Sequence, residues 1–202
     1  LLDRFSPTPW DGGKDFGTAD EETAKLGFTL PAPGEYAIGF LYLPRDAEGR
    51  KLVEAIVEKV VADEGQKFLG WRDVPVDPSG LGESVKPTEP VSRQIFIAKG
   101  EGFADQDVFE RRLFLLRKVI SGSVLALKDK RTAGFYPVSL SSRTLVYKGM
   151  LLSNQLGEYF PDLCDPRFDS ALALVHQRFS TNTFPTWSRA HPYRMVAHNG
   201  EI

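Results

Sequence analysis

Cysteine is nearly absent from this chain. Cys164 stands alone among 202 residues, so no intramolecular disulfide can form and a reducing compartment is the natural setting. Long hydrophobic runs are missing too. The longest apolar stretches, such as Tyr36–Leu43, fall well short of the ~20 residues that cross a bilayer. No basic–apolar–small signal peptide opens the sequence. Neither sign of charge dominates: 25 Lys and Arg are interspersed with 27 Asp and Glu. That excludes the basic footprint of a nucleic-acid binder and a polybasic membrane patch. Internal repeats and low-complexity linkers are also lacking. The first residue is Leu1, not methionine, and the chain reads as an internal piece of a longer protein.

What is present is enough for a core. Hydrophobic residues make up 42% of the chain, which suits one domain of this length. Residues 1–33 are rich in Pro, Gly and Asp and read as loop with a short helix at Glu21–Leu26. Gly34–Leu43 alternates Tyr36, Ile38, Phe40 and Tyr42 with Ala37, Gly39, Leu41 and Leu43. Both faces are apolar, so a strand buried between layers is expected. Val53, Ile56, Val57 and Val60 predict a helix over Ala47–Asp63, capped by Asp46 and ended by Gly65. Strands are expected at Lys67–Val76 and Ser92–Lys99, with a loop over 77–91 between them.

Asp105 caps a second helix whose buried stripe is Phe109, Leu113, Leu116 and Ile120. Glu110, Arg111 and Lys118 fall off the stripe, and Gly122 weakens the pattern toward Leu127. "FYPVSLSS" and "TLVYKG" predict a hairpin about residues 141–143. A short helix is expected at Met150–Phe160, and the last strands at Ser170–Phe179 and Arg194–Gly200. The pattern predicts an α+β fold with helices over mostly antiparallel sheet. Strands apolar on both faces predict two stacked sheets with the helices outside.

The candidate chemistry lies in "HQRFSTNTFPTWSRAHPYRMVAHNGEI" (His176–Ile202). Arg178 leaves an apolar strand and is followed by Ser180, Thr181, Asn182 and Thr183, a position where binding groups commonly sit on loops. Its planar fork matches a carboxylate with two parallel hydrogen bonds. A surface Arg beside a polar turn fits these letters equally well. Asn199 and Gly200 end the last expected strand. An Asn amide and a Gly N–H aimed out of such a corner form an oxyanion hole. On the dipeptide alone, an ordinary Asn-Gly turn is the simpler reading.

His176, His191 and His198 are spaced by 15 and 7 and match no ligand motif, so no metal site is expected. His176 shares a face with Arg178 and reads as a hydrogen-bonded strut. Cys164, flanked by Asp162 and Asp165, is expected to be a half-buried structural thiol and a poor nucleophile. "GKD" and "YKG" lack Walker spacing, and the G-x-G in "DPSGLGESVKP" has no strand-to-helix context.

Together, "HQRFSTNTFPTW" and "AHNGEI" resemble the glutaminase domains of glutamate synthase large subunits. These are class II glutamine amidotransferases within the N-terminal-nucleophile hydrolases. "PGEYAIGFLYLPRD", "LGWRDVPVD", "SLSSRTLVYKGML" and "FPDLCDPRFDSALALVHQRFSTNT" are similar to the same family. The resemblance implies a four-layer αββα fold, incomplete in this chain. It implies that Arg178 holds the α-carboxylate of glutamine, Thr181 and Asn182 orient its amino-acid end, and Asn199 and Gly200 supply the oxyanion hole. The family's nucleophile is the N-terminal cysteine of the mature chain, with its own α-amine as base. That segment is missing here, as is the acidic residue that follows "HNGEI" in the family. This segment alone is therefore expected to be inactive and to expose apolar surface and unpaired strand edges.

In the parent enzyme the resemblance implies flavin mononucleotide and an iron–sulfur cluster in other domains, with ferredoxin or a small electron-transfer subunit as partner. It implies a cytoplasmic protein, or a plastid one in a photosynthetic eukaryote. A non-catalytic glutamine- or glutamate-binding module, or another class II amidotransferase, fits the same binding residues.

Overall fold

The computed structural model describes residues 26–103, 105–166, 168, 170, 172–179, 182–193 and 196–198. The expected helix at Glu21–Leu26 lies almost entirely outside the described residues; Leu26 itself is in a turn. Among the described residues no helix is long and apolar enough to cross a membrane.

Four strands make one antiparallel sheet in the order β2-β3-β1-β4. They are β1 (Tyr36–Leu43), β2 (Lys67–Asp73), β3 (Val91–Ala98) and β4 (Tyr136–Ser141). Every residue of β1 is buried, as its two apolar faces predict. Ala37, Leu41 and Leu43 join Ile95 and Ile97 of β3 beneath two helices, α1 (Ala47–Asp63) and α2 (Gln106–Ala126). Phe40 and Tyr42 face the other way, against Val74, Val146, Phe160 and Trp187. This second layer is built of loops, short 3₁₀ turns and a one-turn helix, Leu156–Tyr159. One sheet, not two, is found among the described residues.

The helix ends follow the sequence closely. Asp46 accepts a hydrogen bond from the Gly49 N–H at 2.7 Å, and Asp105 one from Val108 at 2.8 Å. Each satisfies a donor that the first turn leaves without a partner. Gly65, with φ of 72°, turns the chain out of α1. α2 continues through Gly122 because its stripe carries on to buried Val124; packing outweighs the ~1 kcal/mol helix cost of a glycine.

Gly49 has a second duty. A Cβ there would lie 2.0 Å from the carbonyl oxygen of Arg131, in the 3₁₀ turn Lys130–Thr132 that α1 packs upon. Replacing Gly49 with Ala is expected to force the two apart at a cost of about 1–3 kcal/mol. Differential scanning calorimetry of the full-length chain should find the midpoint of this domain lowered by several degrees; an unchanged midpoint would mean that the turn yields freely.

Four expectations need correction. Thr144–Gly149 does not return as a hairpin strand. The Ser141 hydroxyl oxygen accepts the N–H groups of Arg143 at 3.0 Å and Thr144 at 3.2 Å, which turns the chain off the ladder. The sequence neighbours Val146 and Tyr147 pack into the same cluster, whereas successive residues of a strand point to opposite faces. Residues 172–179, expected as strand, carry no strand pairing; with no described strand alongside, no ladder can form. Leu172, Leu174 and Val175 are 57%, 46% and 73% exposed, so the expected bare apolar surface is present here. Most of the expected strand Arg194–Gly200 lies outside the described residues; of those described, Val196 bridges Tyr193 just before it.

Glu110 does not sit off the buried stripe as surface charge. It is buried and receives hydrogen bonds from the Ser141 hydroxyl, the Ser142 hydroxyl and the Ser142 N–H. Finally, Cys164 is exposed, not half-buried. Asp162 takes the inward position of the turn Pro161–Cys164, where Arg72 grips it with two hydrogen bonds of 2.7 and 2.8 Å and the Tyr147 hydroxyl donates a third at 2.8 Å. That leaves the thiol facing out, its Sγ 3.5 Å from the Gly157 carbonyl.

Candidate functional site

Large aromatic side chains in loops tend to be anchors, and Trp187 is one. It is buried beside Tyr42 and Tyr159, with ring centroids 6.0 and 5.5 Å away, and its indole N–H reaches the Thr88 hydroxyl at 3.2 Å. Gly149 makes room for it, because a Cβ there would approach the indole to 2.6 Å. The anchor fixes the turn Thr186–Ala190, in which the Thr186 carbonyl accepts from Arg189 and Ala190 at 3.1 Å each.

Lys148 closes this turn from beneath. Its ammonium donates to the carbonyls of Ser188 and Ala190, both at 2.8 Å. It lies under two rings, 4.2 Å from the Tyr193 centroid and 4.9 Å from that of Tyr136, an arrangement in which the ring quadrupole attracts the cation. Burial, aided by the Arg117 charge, pushes its pKa down to about 7. Its own carbonyl accepts from the buried Tyr42 hydroxyl.

From this turn the chain runs to His191. The ring of His191 lies 4.9 Å from that of His176 and 4.6 Å from that of Tyr193. Its Nδ1 accepts the backbone N–H of His198 at 3.2 Å. Partial burial first, then the charges of His176, Lys148 and His198, lower the His191 pKa, which favours the neutral ring that this acceptor role needs. His176 in turn donates from Nε2 to the Arg178 carbonyl, so the expected strut is present, on irregular chain instead of a strand.

These contacts connect the two motifs. His176 stands two residues before Arg178, and His198 immediately before Asn199. Arg178 and Asn182 are described and exposed. Thr181, Asn199 and Gly200 lie outside the described residues. The histidines meet through one ring stack and one backbone N–H, and among the described residues no group of three or more His, Cys, Asp or Glu is arranged to hold a metal ion. A cleft of about 890 Å³ opens beside Phe184 and Trp187, but Arg178 is not in its wall.

Lys148, Trp187 and Tyr193 were not read as site residues from the sequence. A lysine between apolar neighbours in "LVYKGM" was the available signal, and a solvated lysine is the common outcome for such letters.

Residues 16–202 match the family described as glutamine amidotransferases class-II. The large chain of glutamate synthase [NADPH] from Bacillus subtilis is 42% identical over 173 residues, which cover 86% of this chain and 11% of that protein. Glutamate synthase [NADH] of Schizosaccharomyces pombe is 42% identical over 195 residues, 94% of this chain and 9% of that protein. Ferredoxin-dependent glutamate synthase 2, chloroplastic, of Arabidopsis thaliana is 39% identical over 194 residues, 96% of this chain and 11% of that protein. The chain thus spans about a tenth of the length of these relatives. With the family match running through both the sheet and the two joined motifs, the chain belongs to the class II glutamine amidotransferases.

Proposed function

We propose that this chain is the glutaminase part of a glutamate synthase, hydrolysing glutamine to glutamate and ammonia for the reductive amination of 2-oxoglutarate. The observation that carries the reading is the contact of His176 with His191 and of His191 with His198, which draws the Arg178 segment to the segment entering Asn199. Arg178 grips the α-carboxylate of glutamine through its fork. Thr181 and Asn182 orient the amino-acid end. Asn199 and Gly200 donate to the oxyanion as the amide carbon becomes tetrahedral.

A thiolate attacks that carbon, the C–N bond breaks, and nitrogen leaves as ammonia with a proton from the nucleophile's acid–base partner. Water then cleaves the thioester to glutamate. The nucleophile is a cysteine outside these 202 residues. Cys164, turned outward against Gly157, is not part of the connected motifs.

The finer architecture belongs to the same proposal. The described sheet with its two helices forms half of a four-layer αββα sandwich. An iron–sulfur cluster requires about four thiolates, which a chain with one cysteine does not supply. Flavin mononucleotide, the cluster and the contact with ferredoxin or an electron-transfer subunit are therefore assigned to other parts of the full-length protein, in cytoplasm or plastid. The test is direct. The full-length protein, given amide-¹⁵N glutamine, 2-oxoglutarate and a reductant, is expected to yield two glutamates per glutamine, one of them carrying ¹⁵N; no ¹⁵N in either ammonia or glutamate under any electron-donor condition would end the reading.

A further inference from the structure

We propose that Lys148 is a positioning residue for the glutaminase site, tying the Thr186–Ala190 turn to the sheet and thereby holding His191 against His176. The proposal rests on the functional reading above, because it concerns how the Arg178 and Asn199 segments are kept side by side.

Lys148 is 2% exposed, and a buried ammonium loses its hydration. The charged group acting on it is Arg117 of α2, which repels it. Tyr136 of β4, Tyr42 of β1, Tyr193 and His191 complete its ionisable surroundings. A methionine would fill much the same volume without the desolvation penalty, as apolar replacements of buried charges often do. What methionine lacks is a donor. Lysine offers two N–H groups to the Ser188 and Ala190 carbonyls even when neutral. Those carbonyls belong to the turn that leads directly to His191, so the clamp acts on the position of the site more than on the stability of the sheet.

The contacts on either side strengthen this reading. The Tyr42 hydroxyl fixes the Lys148 backbone to the central strand. The Tyr193 ring packs on both the ammonium and His191, while its hydroxyl donates to Arg189 at 3.0 Å. A route of direct contacts therefore runs from β1 through Lys148 to the His191–His176 stack.

The experiment compares the full-length wild-type protein with Lys148→Met. Glutamine-dependent ammonia release by the variant is expected to fall roughly 10–100-fold in kcat/KM, mostly as a raised KM, because a small displacement of binding groups has effects of that order. The calorimetric midpoint of the domain is expected to fall by no more than a few degrees, because losing the desolvated ammonium partly offsets the two carbonyls left without a donor. Hydrogen exchange is expected to speed up across residues 184–198 and to stay unchanged in β1 and α1. Wild-type KM in the variant, or lost protection spread evenly over the domain, would overturn the proposal. If the wild-type protein itself consumes no glutamine, the functional reading fails, and the exchange pattern still reports separately on the clamp.

Discussion

Replacing Arg178 with Ala in the full-length protein is expected to lower kcat/KM for glutamine by roughly 10²–10³-fold. The reason is geometric as well as electrostatic. A guanidinium presents two parallel N–H groups to a carboxylate, and removing one partner of such a pair costs about 2–5 kcal/mol, or one decade per ~1.4 kcal/mol. Arg178 is exposed among the described residues, so its fork is not taken up by burial. Arg178→Lys keeps the charge but loses the fork, and is expected to recover only a fraction of the loss. Steady-state ammonia release measured against glutamine concentration checks both variants. Hydrogen exchange over residues 172–193 should match wild type, since the Arg178 side chain supports no described element. Unchanged kcat/KM in the alanine variant would remove Arg178 from the site and with it the proposed mode of glutamine binding.

The second large effect is on stability. Glu110→Ala is expected to destabilise the domain by about 2–4 kcal/mol, because it leaves buried donors without their acceptor. Glu110 lies on α2 and reaches β4, where its carboxylate accepts from the Ser141 hydroxyl at 2.9 Å and the Ser142 hydroxyl at 2.8 Å. The Ser142 N–H donates to the same carboxylate. Without it, these donors are left buried and unpaired, each costing on the order of 1–3 kcal/mol unless water enters. The consequence spreads along the chain. The Ser141 hydroxyl organises the turn that sends Thr144–Lys148 beneath the sheet. A loosened turn would release Lys148 and hence the Thr186–Ala190 turn. Native-state hydrogen exchange on the full-length protein should register faster opening in α2 and β4, and beyond them in residues 144–149 and 184–198. If the change stays within α2, the carboxylate has no role in shaping the turn.

The sequence determined those features that depend on neighbours close along the chain. Alternation in Tyr36–Leu43 specified a strand buried on both faces. The 3.6-residue spacing of Val53, Val57 and Val60, and of Phe109, Leu113, Leu116 and Ile120, specified the helices. Asp46 and Asp105 marked helix starts because capping reaches only two or three residues. Two motifs named the family.

Only the tertiary structure decided the rest. Residues 172–179 have strand letters but no described partner, and a ladder cannot form on one side. "TLVYKG" reads as the return of a hairpin, yet the distant residues Asp162 and Ser188 draw Tyr147 and Lys148 inward. Glu110 and Lys148 look like solvated charges until the chain brings Ser141, Ser142 and the Ser188 and Ala190 carbonyls to them. A buried polar group is defined by partners remote in sequence, and those partners are set by the packing of the whole domain.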